Sequence, residues 1–185
     1  MAVDSESVLL QFLRRQRHDF LNHLQVVSGF IQLGRPERVT EYIQQVSYDL
    51  ELLGAIFRIK VTEVAVFLLR HLIEAEDGQI DLRYEVATDF GDWSGDRGPA
   101  LVAMERLWQA AMGYIRGLGD DERQISLRME QVGERYRMSL AVPHDRHHTS
   151  HPPQWPGEEF AGQLNLIHEN RSDTYLVTLS WPSKG

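Results

Sequence analysis

The chain has 185 residues, of which 42% are hydrophobic and 25% charged, and this composition is typical of a folded globular protein. It contains no cysteine, which excludes disulfides, thiol nucleophiles and thiolate metal sites. The net charge of −8 argues against nonspecific nucleic-acid binding, and without a long apolar run we expect no signal peptide, no membrane association and a cytoplasmic location.

The first predicted element is a long helix over residues 5–33, where no proline occurs. Its apolar residues recur in steps of seven, four, three and four, which is the spacing of a helical-bundle seam: Leu13, Phe20, Leu24, Val27 and Ile31. At about 100° per residue, His18 points roughly 145° away from this seam, and we expect its ring to face solvent.

A second helix is predicted over residues 35–53, because Gly34 and Pro36 are typical of a helix stop and a helix start. Residues 1–56 should therefore form an antiparallel hairpin that serves as phosphoacceptor and dimerisation domain. Two helices bury their apolar stripes poorly, so we expect two copies to form a four-helix bundle. The alternative to dimerisation is that the C-terminal module covers the apolar stripes of the hairpin.

Residues 57–185 are predicted to form an α/β module with a largely antiparallel sheet, which makes the whole chain α+β. Thr62 is the expected cap of the first helix of this module, and we interpret the Gly91–Gly98 segment as a flexible connection without a phosphate-binding pattern. The predicted elements are helices over 63–76 and 99–118, and strands over 80–86, 123–130, 135–142 and Thr174–Trp181, with a turn at Gly133.

The candidate reactive group is the imidazole of His18. Arg14 and Asn22 lie one turn before and after it, and Gln25 follows another turn on, so a basic and amide-bearing ridge surrounds the ring. Imidazole is largely neutral at neutral pH and can attack phosphorus without a separate base. Arg14 would offset phosphate charge.

The segment Arg17-His18-Asp19-Phe20-Leu21-Asn22-His23-Leu24 resembles the phosphoacceptor box of the sporulation initiation phosphotransferase B family, which is related to sensor histidine kinases. The resemblance covers roughly the first 55 residues and extends more loosely over the whole chain. It implies that His18 is the phosphorylated residue and that Asn22 matches the amide four residues later.

Histidine kinases of this type hold ATP and magnesium with an asparagine-rich helix and a D-x-G-x-G loop, and neither motif is visible in this sequence. The only asparagines are Asn22, Asn165 and Asn170, and Val142 is followed by Pro143-His144-Asp145-Arg146. We therefore expect the second module to resemble a degenerate histidine-kinase ATPase domain and the chain to have no cofactor of its own. Mg²⁺ would be supplied by the partner receiver.

The resemblance implies a phosphotransferase that carries a phosphoryl group between the aspartates of response-regulator receiver domains through phosphohistidine, in sporulation initiation. Its expected partners are receivers and a second copy of the chain. Two alternatives stay open: a sensor histidine kinase core with an atypical nucleotide site, and a non-enzymatic dimer that binds receivers.

Three further groups have competing interpretations. Asp19 either orients the imidazole or is a solvated helix carboxylate. His23 is expected to serve packing or a dimer contact rather than chemistry. The histidines between residues 144 and 151 favour a solvated loop over a metal site because prolines interrupt any helix there; they are His144, His147, His148 and His151.

Overall fold

The computed structural model describes residues 5–145, 151–157 and 164–184. The architecture is α+β, as predicted: helices come first, and a mixed five-stranded sheet follows. The chain divides after Arg58 into two compact units. Within the described part of the chain, no helix is both long enough and apolar enough to span a lipid bilayer.

The first unit is a helical hairpin of α1 (Ser5–Gln32) and α2 (Pro36–Phe57). Gly34 has a positive φ of 66°, a conformation that favours glycine, and the N–H of Arg35 closes the end of α1 by donating to the carbonyl of Phe30 at 3.0 Å. The predicted end of α2 at residue 53 is wrong. Gly54 lies inside the helix, which continues to Phe57, and its φ is not in the positive range that Gly34 adopts at the end of α1.

The second unit contains α3 (Thr62–Asp77) and α4 (Gly98–Ile115). Thr62 is not the cap of α3, because it is the first helical residue. The capping position is Val61, whose apolar side chain cannot accept a hydrogen bond. The helix α4 ends three residues before its predicted end because the chain tightens into turns, in which the N–H of Leu118 bonds to the carbonyl of Ile115.

The strands are β1 (Asp81–Val86), β2 (Gln124–Val132), β3 (Arg135–Pro143), β4 (Asn165–Asn170) and β5 (Thr174–Pro182). The sheet has the order β1-β2-β3-β5-β4 and is largely antiparallel, as predicted. Only β1 and β2 run parallel, and α4 lies in the connection that parallel strands require. Sequence analysis missed β4, an edge strand with one neighbour, because its mainly exposed residues do not alternate between apolar and polar.

Helices α3 and α4 cover one face of this sheet. The alternation of the strands sends their apolar side chains to that face, where they are buried: Leu127, Met129, Met138, Leu140, Val177 and Leu179. The opposite face is polar, and there the hydroxyls of Ser139 and Thr178 lie 3.1 Å apart on neighbouring strands. The second unit therefore has one apolar core between helices and sheet.

The segment before α4 is attached to the second unit by aromatic side chains. Phe90 and Trp93 are buried and pack with the rings of Tyr136 and Trp181 over the end of the core. The backbone N–H of Asp92 also donates to the hydroxyl of Tyr136 at 3.1 Å. Phe90 directly precedes the Gly91–Gly98 segment and Trp93 lies within it.

Candidate functional site

The candidate site lies in the middle of α1, where the side chain of His18 is 75% exposed. Uninterrupted helical hydrogen bonding fixes the direction of each side chain, and the outward direction of the His18 ring agrees with the helix phase expected from the sequence. The ring is therefore accessible to a partner molecule.

Two neighbouring side chains contact the same nitrogen of this ring. The amide nitrogen of Asn22 lies 3.1 Å from Nδ1 of His18, and a carboxylate oxygen of Asp19 lies 3.3 Å from it. The second ring nitrogen, Nε2, has no hydrogen-bond partner among the residues that the structure describes. One nitrogen is thus held by the helix while the other faces outward.

The other two ridge residues expected from the sequence are not in contact with the ring. Arg14 and Gln25 are both exposed on α1, and within the described part of the chain neither forms a hydrogen bond with His18. Of the predicted supporting residues, the structure therefore brings Asp19 and Asn22 to the imidazole and leaves Arg14 and Gln25 free to contact a bound group.

His23 lies on a different side of α1 and belongs to the interior of the hairpin. Its Nδ1 lies 2.8 Å from the hydroxyl of Tyr42 on α2, and the two rings pack with centroids 5.8 Å apart. Phe30 contacts the same tyrosine ring edge to face. This arrangement gives His23 a packing role between the two helices.

Large apolar side chains remain exposed along both helices of the hairpin. The predicted seam of α1 includes Phe20, which is 62% exposed, and α2 contributes a second row at seven-residue spacing. Of the predicted seam only Val27 is half-buried. The exposed members of the two rows are Leu13, Phe20, Leu24 and Ile31 on α1, and Ile43, Leu50 and Phe57 on α2.

The second unit contains a buried polar cluster that sequence analysis missed, which we call the α3–α4 cluster: His71 and Glu74 on α3, and Glu105 and Trp108 on α4. The ring of His71 is 1% exposed, with Nδ1 3.0 Å from Glu74 and Nε2 3.2 Å from Glu105. The indole N–H of Trp108 donates to Glu74 at 2.9 Å. The spacing of His71 and Glu74 was visible in the sequence, but their partners on α4 are more than thirty residues away.

Neighbouring charges and hydrogen bonds shift the pKa values of the acidic groups in this cluster. Burial by itself raises the pKa of Glu105, but the hydrogen bond and charge of His71, together with Gln109 and Arg70, outweigh burial and lower that pKa to about 2. The hydrogen bond from His71 is also the main cause that lowers the pKa of Glu74. Both carboxyl groups are therefore ionised at neutral pH and join α3 to α4.

The histidine-rich loop is only partly within the described residues, because His147 and His148 lie outside them. The ring of His144 packs against Tyr175 with centroids 4.2 Å apart, and its backbone N–H bonds to the carbonyl of Asp173. Residues 5–145, 151–157 and 164–184 hold no group of three side chains arranged to bind a metal ion.

Comparison with known families gives a match in the N-terminal hairpin. Residues 1–59 match the model of the sensor kinase SpoOB-type, alpha-helical domain. This match confirms the resemblance seen in residues 17–24, and it supports a role of the chain in two-component phosphotransfer. No curated protein sequence matches the chain.

Several solved structures are similar to the chain at low sequence identity. The catalytic domain of histidine kinase ThkA is 15% identical, with 72% of this chain and 91% of that chain covered and a TM-score of 0.44. ThkA in complex with the response regulator protein TrrA is 16% identical, with coverages of 96% and 62% and a TM-score of 0.45. A bacterial phosphotransferase is 10% identical, with coverages of 97% and 98% and a TM-score of 0.37.

Proposed function

Since residues 1–59 match a SpoOB-type helical domain, we propose that this chain is a phosphorelay phosphotransferase with His18 as its phosphoacceptor. His18 takes a phosphoryl group from the phosphoaspartate of one receiver domain and passes it to the aspartate of another. The observation that carries this proposal is the exposed ring of His18, held through Nδ1 while Nε2 faces outward. The sporulation initiation relay is the setting that the resemblance of the box implies.

The chemistry needs few groups from this chain. The lone pair on Nε2 attacks phosphorus in line with the acyl oxygen of the phosphoaspartate; the N–P bond forms, the P–O bond breaks, and the receiver recovers its carboxylate. Because a lone pair attacks, no proton has to leave the ring. Asp19 accepts a hydrogen bond from the protonated Nδ1 and balances the positive charge that the phosphorylated ring acquires.

Positioning of the two reactants and compensation of the phosphate charge then provide most of the acceleration of phosphoryl transfer. Arg14 is exposed one turn before His18 and can reach the oxygens of an incoming phosphoryl group. Gln25 lies further along the exposed surface and is assigned to receiver contact. The magnesium ion that phosphoaspartate chemistry uses comes with the receiver.

The proposed reaction does not use ATP. The helix α4 has no asparagine, and its Glu105 and Trp108 form hydrogen bonds with His71 and Glu74 in the α3–α4 cluster.

A second copy of the chain is proposed to cover the exposed apolar rows of the hairpin. Seven large apolar side chains lie exposed in rows of heptad spacing, and pairing two hairpins would bury both rows in a four-helix bundle. His18 points away from the α1 row, so the bundle leaves its ring accessible.

The proposal is tested by mixing the purified full chain with a receiver labelled in its phosphoryl group. We expect label that is stable in base and labile in acid to appear on the wild type and on His168→Ala, a control that removes another exposed histidine, and to be absent from His18→Ala. Incubation with labelled ATP alone should give no label. Label from ATP would instead support the kinase alternative, and label on His18→Ala would contradict the assignment.

A further inference from the structure

The two side chains that contact His18 require different protonation states of the same nitrogen. An amide nitrogen donates a hydrogen bond, so the contact of Asn22 at 3.1 Å requires a lone pair on Nδ1. A carboxylate accepts, so the contact of Asp19 at 3.3 Å requires a proton on Nδ1. A neutral imidazole carries one proton, and the two hydrogen bonds therefore belong to alternative tautomers.

The two tautomers differ in whether a reactive lone pair is exposed. With the proton on Nδ1 and donated to Asp19, the lone pair lies on Nε2, which has no partner within the described part of the chain. With the lone pair on Nδ1, the amide of Asn22 occupies it, and the outward Nε2 carries the proton. Only the first tautomer can attack phosphorus from solvent.

We propose that Asn22 is a positioning residue that holds His18 in the unreactive tautomer, in competition with Asp19, which holds the reactive one. This inference deepens the proposed function and rests on His18 being the phosphoacceptor. Exposed hydrogen bonds of this kind differ little in strength, so both tautomers are populated and the balance shifts by about two- to tenfold when one partner is removed.

The competition has a chemical consequence for the phosphorylated state. Once Nε2 carries the phosphoryl group, Nδ1 keeps its proton and can only donate, so the carboxylate of Asp19 is satisfied while the amino group of Asn22 has to release the ring. Asn22 thus opposes phosphorylation, and Asp19 supports it.

The test measures the tautomer directly, by the ¹⁵N chemical shifts of the His18 ring nitrogens in the full chain at a pH where the ring is neutral. We expect a mixture in the wild type, a shift toward the Nδ1–H form in Asn22→Ala, and a shift toward the Nε2–H form in Asp19→Ala. Asn22→Asp replaces the donor by an acceptor of similar size, so it should favour Nδ1–H and restore that form in the Asp19→Ala background.

Reactivity is measured with phosphoramidate, a small donor whose P–N bond breaks as the N–P bond to His18 forms and ammonia leaves. The rate follows the fraction of the reactive tautomer, and the wild type is a near-even mixture. Asn22→Ala and Asn22→Asp should therefore accelerate phosphorylation of residue 18 by up to about twofold, and Asp19→Ala should slow it by about two- to fivefold. Since no receiver takes part, failure of receiver transfer would overturn the proposed function without affecting this result. An unchanged tautomer balance or an unchanged rate in Asn22→Ala would overturn the inference. A slower rate would overturn it too, because it would mean that Asn22 presents its amide oxygen to Nδ1 and supports the same tautomer as Asp19.

Discussion

At the scale of single residues, the side chains around His18 differ in what they can do for a phosphoryl group. Asp19 and Asn22 contact the ring and control its proton, whereas Arg14 is exposed on the same helix without touching it. The helix phase in the sequence was enough to predict the exposed ring. The opposed contacts at Nδ1 were not predictable, because they depend on the rotamers of two short side chains.

Arg14→Ala should slow phosphotransfer from a phosphorylated receiver by about tenfold, since a charge-assisted hydrogen bond to phosphate contributes roughly 1.5–3 kcal/mol and solvent weakens it at an exposed site. The midpoint of thermal unfolding should change little, because the side chain is exposed. Rapid-quench kinetics and calorimetry measure the two effects. Arg137→Ala, which removes an exposed arginine from the outer face of the sheet, is the matched control; an equal loss of rate in both variants would contradict the role of Arg14.

At the scale of secondary-structure elements, the hairpin is held together in part by one polar contact. Tyr42→Phe removes the hydrogen bond to His23 and keeps the aromatic packing. We expect it to lower the free energy of unfolding by about 0.5–1.5 kcal/mol and to leave the phosphotransfer rate within about twofold. Urea denaturation measures the first quantity; a large loss of rate without loss of stability would give His23 a role beyond packing.

The α3–α4 cluster makes the stability of the second unit depend on pH. The folded-state pKa of Glu105 lies below its unfolded value. The ionised carboxylate therefore contributes fully to the free energy of unfolding above about pH 5, and this contribution is lost as the pH falls from about 4.5 toward 2. Glu105→Gln should reduce the free energy of unfolding at pH 7 by about 1–2 kcal/mol, a figure lowered for partial exposure, and the difference should shrink toward pH 3.5.

Urea titrations at several pH values test this expectation, with Glu134→Gln as the control because Glu134 is exposed in the turn between β2 and β3. A constant difference between wild type and Glu105→Gln from pH 7 to pH 3.5 would contradict the ionic role of Glu105.

Most elements could be predicted from the sequence because their local signals are strong. The long α1 has no proline, the hairpin turn at Gly133 has a positive φ of 59°, and β5 alternates regularly. The edge strand β4 was missed because its pairing with β5, and not its own pattern, defines it. The α3–α4 cluster likewise depends on tertiary contacts that a local pattern does not contain.

At the scale of the whole molecule, the exposed apolar rows predict self-association. Leu50→Glu places a charge in the α2 row and should weaken dimerisation at least about tenfold, since burying an unpaired carboxylate is strongly unfavourable. Light scattering coupled to size exclusion measures the mass. Gln44→Glu, on another face of the same helix, should stay dimeric; a wild type that is monomeric at high concentration would contradict the bundle.

His18 is the residue proposed to carry the phosphoryl group. Mass spectrometry at mildly basic pH, after exchange with a phosphorylated receiver and cleavage by trypsin, tests it most directly, because the peptide from His18 to Arg38 carries both His18 and His23 and fragmentation separates them. We expect one phosphoryl group per chain, on His18. A phosphoryl group on His23 or on any other residue, or no phosphorylation by any receiver that is tried, would contradict it.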